Sequence, residues 1–262
     1  MSALYVDATQ APARLERDGP ALSLKRPWGE QGRVPMRCLS RLILRGPAEV
    51  EGALVLALLE RGIPVSYLRA DGSLLASCLP ARSRRTDTRE LLEQAAAIGA
   101  LGTIRSNWLA AEERRLILDL RTSLGLVIHD LRRRTVDLRI HAALQARGGP
   151  LGAESMMARM RALLEAHLSQ LLLAEGLGWR FQGGDPESWN LRSDLAHLLI
   201  LALVPTLFEL AEYMKRYPER HRKEKDVHRR FARRYEREAP RIERLVEVAL
   251  ARLRRLLRET LT

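Results

Sequence analysis

The sequence predicts an α+β fold, in which a small N-terminal β-rich domain precedes a larger all-helical domain. Residues 1–80 contain short apolar runs separated by Gly and Pro turns, a pattern typical of strands. Residues 89–262 instead carry apolar residues three and four positions apart, the spacing of helices that bury one face. Residues 81–88 between them are polar and charged, which predicts an exposed linker.

The β-rich domain is predicted to contain short strands and one helix. The apolar runs place strands at residues 4–6, 21–25, 41–44, 64–68 and 74–79. Residues 49–60 have apolar side chains at helical spacing, and the following Arg61-Gly62 is a C-terminal stop signal.

The helical domain is predicted to contain six helices. The periodicity places them at residues 89–101, 106–124, 136–146, 154–174, 194–216 and 226–261. The apolar run at residues 198–204 ends at Pro205 and is far shorter than the ~20 residues needed to cross a bilayer. We therefore expect no membrane partner.

The charge of the chain points to a polyanionic ligand. Lys and Arg outnumber Asp and Glu by 44 to 32, which gives a net charge of +12, and most of the cations are Arg, which binds phosphate through two parallel hydrogen bonds. Nucleic acid is the expected partner, and an ordinary basic protein from a GC-rich genome is the alternative. Cys38 and Cys78 have no CxxC or His-rich neighbourhood, and Met1 opens no secretory signal, so a cytoplasmic protein without zinc is expected.

The last predicted helix is the most basic part of the chain. Residues 215–258 contain seventeen Lys or Arg residues, a density that can follow a phosphate backbone. The predicted DNA-binding residues are Lys223, Lys225, Arg229, Arg230, Arg233 and Arg234. A solvated helix with i, i+4 ion pairs is the alternative. Phe231 and Tyr235 lie four apart, and we expect them to be core contacts rather than base-stacking platforms.

Residues 34–76 resemble the N-terminal domain of the Cas1 family, the CRISPR-associated integrases of spacer acquisition. The shared features are a basic residue and a Pro at residues 33–35, a strand ending in Gly46, a helix at 49–60, the sequence RGIPV at 61–65, and a turn at Asp71-Gly72. The order of β domain, charged linker and basic helical domain is also that of the family.

The resemblance implies a metal site in the helical domain. Family members hold a divalent ion with a Glu, a His and an Asp, and carboxylate oxygens suit Mg²⁺ or Mn²⁺. The segment PLGAESMMARMRALLEAHL is similar to the family's Glu-bearing helix and makes Glu154 the candidate catalytic residue and metal ligand. From its position alone, Glu154 is expected to be a first-turn carboxylate that stabilises the helix dipole, and the resemblance raises the metal-ligand interpretation to equal weight.

The family's His and Asp have no single counterpart. One alignment matches Asp185, Pro186 and Trp189 to a DPxxW segment, and the whole His-to-Asp segment is then missing. The other makes Asp194 the metal Asp, with His197 in place of the next acid, so that Glu154, Asp194 and His197 form a rearranged metal site. In the structural alternative Asp194 is a helix cap and His197 a buried or interfacial histidine.

The resemblance therefore implies a DNA-binding protein of CRISPR adaptation, an antiviral defence, with an incomplete catalytic site and no required metal. The alternatives are an active integrase or endonuclease that uses Mg²⁺ or Mn²⁺, and a basic nucleic-acid-binding adaptor outside the family. The sequence holds no Walker loop, paired cysteines or RNP motif that would favour such an adaptor. The implied partners are double-stranded DNA, a second copy of the chain joined through the β domain, and a small Cas2-like protein.

Overall fold

A computed structural model describes residues 2–27, 29, 31–80, 86–124, 130–147, 151–183, 189–217 and 224–261. Its strands are β1 (Ser2–Asp7), β2 (Ala13–Asp18), β3 (Ala21–Lys25), β4 (Gln31–Pro35), β5 (Leu39–Arg45), β6 (Ala48–Val50), β7 (Val65–Leu68) and β8 (Leu74–Cys78). They form two sheets with the orders β1-β5-β7-β8 and β4-β3-β2-β6. In the first sheet β1, β5 and β7 are parallel and β8 is antiparallel to β7.

The β-rich region contains three strands that the sequence pattern did not predict. The sequence of β2 is ARLERD, so charged residues interrupt its apolar face; β4 contains a Gly and a Pro; and β6 has only three residues. Each gains its stability from pairing with a neighbour rather than from its own apolar run. The helix α1 (Gly52–Glu60) lies within the predicted range.

The helices after the β-rich region are α2 (Asp87–Ala97), α3 (Leu101–Leu124), α4 (Arg133–Arg147), α5 (Ala153–Ala174), α6 (Leu191–Leu199), α7 (Val204–Arg216) and α8 (Glu224–Leu261). A β-rich region followed by a helical region confirms the predicted α+β fold class. Asp87 and Thr88, predicted to lie in the linker, form the first turn of α2, which Thr86 caps by accepting a hydrogen bond from the Arg89 N–H at 3.4 Å. Linker residues 81–85 lie outside the described residues.

The predicted single helix at residues 194–216 is wrong in one respect, because a 3-10 turn at Ile200–Leu203 divides it into α6 and α7. Pro205 lies in the first turn of α7, where its missing N–H costs no hydrogen bond. By length and composition the stretch Leu191–Arg216 could cross a membrane, but 78% of its most apolar window is buried inside the protein. It is packed as the core of the helical region.

The helix α8 covers the helical region with an apolar face. The buried residues on this face are Val227, Phe231, Tyr235, Ile242, Val246, Leu250, Leu253 and Leu257. Phe231 and Tyr235 are each 1% exposed, which confirms that they are core contacts. The indole N–H of Trp108 donates to the Ala249 carbonyl at 3.2 Å, and this bond fixes α3 against α8.

The β-rich region packs against α5 and α8 through polar and apolar contacts. Arg41 of β5 is buried and donates to Gln170 of α5 at 2.9 Å and to Glu236 of α8 at 2.6 Å. The turn between β7 and β8 lies so close to α8 that a Cβ on Gly72 would be 2.5 Å from the His228 ring, and its φ of +88° also favours glycine. These contacts hold α8 against the first sheet.

Candidate nucleic-acid interface

The arginines in the first half of α8 form two rows with different surroundings. Arg229, Arg233 and Arg237 are exposed and lie four residues apart, so they follow one face of the helix at a rise of about 6 Å per step. Among the residues that the structure describes, none of the three has a hydrogen-bond or ion-pair partner. We call Arg229, Arg233 and Arg237 the unpaired stripe.

The neighbouring row is engaged with α7. The Arg230 guanidinium lies 4.0 Å over the centre of the Tyr213 ring, and Arg234 forms an ion pair with Glu209. Two of the predicted DNA-binding residues, Arg229 and Arg233, therefore belong to the unpaired stripe, and the other two arginines belong to the α7–α8 contact.

The unpaired stripe and the set of predicted DNA-binding residues are not identical. Arg237 was not predicted, although it continues the i, i+4 spacing of Arg229 and Arg233 and could have been found from it. Lys223 and the side chain of Lys225 lie outside the described residues.

The unpaired stripe separates two open clefts. On the α7 side a cleft of about 430 Å³ is lined by the stripe, by Arg230 and Arg234, and by Glu209, Leu210, Tyr213 and Asp226. On the other side a cleft of about 550 Å³ lies between α8 and the β-rich region, and we call it the interregion cleft. Its lining residues are Tyr5, Asp7, Arg26, Arg229, Ala232, Arg233, Glu236 and Arg237.

The negative charges of the two acids that line the interregion cleft are compensated by buried arginines. Glu236 accepts from the buried Arg41, and Asp7 accepts from the fully buried Arg45 at 2.9 Å and from the Thr9 hydroxyl at 2.7 Å. Burial alone would raise the pKa of Asp7, but the hydrogen bonds from Thr9 and the charge of Arg45 hold this pKa below its usual value. Both carboxylates are thus paired from beneath, and the arginines that face the cleft leave it positive.

The opposite face of α8 carries a buried polar pair. His167 of α5 is fully buried, and its Nδ1 lies 3.0 Å from the Tyr235 hydroxyl, while its Nε2 lies 3.3 Å from a Glu243 carboxylate oxygen. Burial and then the nearby Arg41 charge lower the pKa of His167 to about 3. His167 is therefore neutral at physiological pH and forms part of the packing of α8.

The candidate metal ligands have separate surroundings. Glu154 is exposed in the first turn of α5, where no side chain caps the helix, so its carboxylate suits the positive end of the helix dipole. Asp194 accepts two hydrogen bonds from Arg105, at 2.7 and 2.9 Å, and a third from the Trp189 indole N–H at 2.6 Å. The cap of α6 is Asn190 rather than Asp194.

His197 completes the candidate set but is placed elsewhere. It lies 3.8 Å from Glu113 of α3, and burial followed by the charge of Arg133 lowers its pKa. Among the described residues, no three His, Cys, Asp or Glu side chains are grouped so that they could hold a metal ion. The arrangement of Glu154, Asp194 and His197 does not fit a divalent cation, because these three side chains are not grouped around a common point. Asp185 and Pro186, used in the other alignment, lie outside the described residues.

Comparison with known proteins links this fold to one family. Residues 4–100 match the sequence profile described as CRISPR associated protein Cas1. A CAS1 protein from Thermotoga maritima has a similar structure, with a TM-score of 0.77 and 14% identity over 98% of this chain and 97% of that one. A casposase bound to integration product is similar at a TM-score of 0.62, with 14% identity over 89% of this chain and 82% of that one.

A TtCas1-DNA complex is also similar, with a TM-score of 0.59 and 20% identity over 97% of this chain and 92% of that one. A sequence comparison with curated proteins gives no match. At these identities the solved structures establish the fold, and the family match covers the β-rich region and the start of the helical region.

Proposed function

We propose that the chain is a divergent member of the Cas1 family and that it acts in CRISPR adaptation by binding double-stranded DNA through the unpaired stripe of α8. The observation that carries this proposal is the row of Arg229, Arg233 and Arg237, three exposed cations on one helix face without protein partners among the described residues. Arginine guanidinium groups in such a row are available to phosphates.

The proposed activity is binding rather than strand transfer. The candidate donor set of Glu154, Asp194 and His197 does not fit Mg²⁺ or Mn²⁺, so we assign no catalytic step to these residues. Glu154 keeps an exposed carboxylate, and it is the residue to substitute in any assay for metal-dependent cleavage.

The proposed setting is the cytoplasm, with a second copy of the chain and a small Cas2-like protein as partners. Support for both partners comes from membership of the family, and support for the DNA partner comes also from the net charge of +12. In this setting the protein holds DNA and assembles with its partners, and these roles need no metal.

The test is the affinity for a short DNA duplex, measured by fluorescence anisotropy at about 0.1 M salt. We expect the Arg229→Ala, Arg233→Ala, Arg237→Ala variant to lose about 100-fold in affinity, because three charge-assisted contacts to phosphate are removed.

The matched control removes three exposed arginines that lie elsewhere, with Arg37→Ala, Arg114→Ala and Arg121→Ala. Both variants lower the net charge by three, so a loss confined to the first variant assigns binding to the stripe. Equal losses in the two variants, or no binding by the wild type, would contradict the proposal.

A further inference from the structure

The interregion cleft contains cations from both parts of the fold. Arg229, Arg233 and Arg237 of α8 form one side, and Arg26, which directly follows β3, contributes from the β-rich region. The Arg26 side chain is half-buried, and its Nη2 donates to the main-chain oxygen of Asp7 at 3.2 Å. This bond holds the Arg26 guanidinium at the carboxyl end of β1, against the cleft.

The charges of the cleft favour an anion although two acids line it. Asp7 is bound by Arg45, and Glu236 is bound by Arg41, and both of these arginines are nearly inaccessible to solvent. The two acids therefore compensate arginines that lie beneath the surface, and they form no ion pair with the three described arginines of the unpaired stripe. Repulsion among the stripe arginines is relieved when an anion binds between them.

We propose that the interregion cleft is a phosphate site shared by the two regions, in which Arg26 and the unpaired stripe bind one phosphate group together. The proposal rests on the proposed function, since the stripe that forms one side of the cleft is also the proposed DNA contact. The phosphate is either part of a polynucleotide or belongs to a free phosphate compound. The volume of about 550 Å³ has room for such a group and its solvent.

The geometry assigns Arg26 a role that its sequence position does not reveal. It lies in the β-rich region, far along the chain from the basic run, and only the tertiary fold brings it to the cleft that the stripe also lines. A ligand bound by both Arg26 and α8 would also fasten the β-rich region to the helical region. We therefore expect bound phosphate to raise the thermal stability of the protein.

The test compares Arg26→Gln with Arg17→Gln in the full chain. Arg17 is an exposed arginine of the neighbouring β2. Each substitution removes one positive charge and keeps a neutral polar side chain, so the two variants have the same change in charge. One arm measures the affinity for duplex DNA over a range of salt concentrations. The other arm measures binding of inorganic pyrophosphate by calorimetry and by the shift in melting temperature.

For a polynucleotide phosphate, Arg26→Gln should weaken duplex binding about fivefold or more and reduce the slope of log K against log salt by about 0.9, while Arg17→Gln matches the wild type. For a free phosphate compound, Arg26→Gln should instead reduce pyrophosphate binding and its thermal stabilisation, with duplex binding unchanged. Identical behaviour of the two variants in both arms would overturn the site.

The failure of this site can be told apart from failure of the proposed function. If the wild type bound no duplex, the proposed function would fail, and the pyrophosphate arm would still decide whether Arg26 and the stripe form a phosphate site. If the wild type bound duplex but both variants were indistinguishable from it in both arms, only the shared site would fail.

Discussion

The two halves of α8 carry the same residue type in different surroundings. In the second half Arg244 donates to the Pro240 carbonyl, and the other four arginines have acidic partners: Arg252 pairs with Glu112, Arg254 with Glu175, Arg255 with Glu259 and Arg258 with Asp87. In the first half Arg229, Arg233 and Arg237 have none among the described residues. The comparison separates arginines that serve the fold from arginines that are available to a ligand.

The difference arises from tertiary contacts rather than from local sequence. Glu112 lies 140 residues before Arg252 in the chain, and Asp87 lies 171 residues before Arg258, so a count of charges along α8 cannot reveal these pairs. The ion-pair interpretation of the basic run applies to the second half of α8. The phosphate-binding interpretation stays a prediction for the unpaired stripe in the first half.

The largest effect on the free energy of unfolding should come from substitution of Glu112, the ion-pair partner of Arg252 in the second half of α8. Glu112 is 3% exposed and accepts hydrogen bonds from Arg115 and Arg252. Glu112→Ala should lower the free energy of unfolding by about 2 kcal/mol, because two ion pairs and a packed side chain are lost, while duplex affinity stays unchanged. Urea unfolding and anisotropy together check both parts.

The control for Glu112 is Glu247, an exposed acid on the second half of α8. Glu247→Ala should change stability by no more than about 0.5 kcal/mol. If the Glu112 variant kept its fold but lost much of its DNA affinity, the second half of α8 would also contact DNA. The two halves would then not differ in their role.

An effect of similar size should appear at His167, which packs against the buried face of α8, as the pH falls. The pKa of His167 is lowered to about 3 in the folded protein, while in the unfolded chain it is about 6.5. Between these values the unfolded state binds the additional proton, so stability is lost as the pH falls through this window. From pH 7 to pH 5 the loss from this residue should be about 2 kcal/mol.

His167→Gln isolates this contribution. The variant cannot take up the proton, so its free energy of unfolding should change less between pH 7 and pH 5 than that of the wild type, by the same amount of about 2 kcal/mol. The other histidines titrate in both proteins and cancel in the difference. Equal pH dependence of the two proteins would show that burial and the charge of Arg41 do not hold His167 neutral.

The fold was largely accessible from sequence because its elements have clear local signals. The helical spacing of apolar residues located α5 and α8 to within two residues of both ends and located the end of α3, although α3 begins five residues before the predicted start. The Arg61-Gly62 stop signal marked the end of α1. The sequence pattern did not predict β2, because only Ala13 and Leu15 form its buried face and the other four residues are charged. It also missed the break after α6, where Pro205 opens a new helix inside an unbroken apolar run.

The candidate site was less accessible, because its parts come from separate elements. The basic run located two of the three stripe residues, but Arg26 lines the same cleft only through the tertiary fold. The candidate metal site shows the opposite difference, because here the sequence pattern suggested a site whose residues have other partners in the structure. Asp194 has the residue type and spacing of a ligand, and the structure uses it to bind Arg105 and Trp189.

Binding of DNA by the unpaired stripe, and not by the arginines in the second half of α8, is tested most directly by the salt dependence of duplex binding. The variants compared lie in the two halves of the helix. Arg229→Gln, Arg233→Gln, Arg237→Gln should reduce the slope of log K against log salt by about 2.7, because about 0.9 is lost for each phosphate contact. Arg254→Gln, Arg255→Gln, Arg258→Gln, with the same change in charge, should leave the wild-type slope. Equal slopes for the two variants would contradict the assignment of DNA binding to the unpaired stripe, because the paired and unpaired arginines would then bind DNA alike.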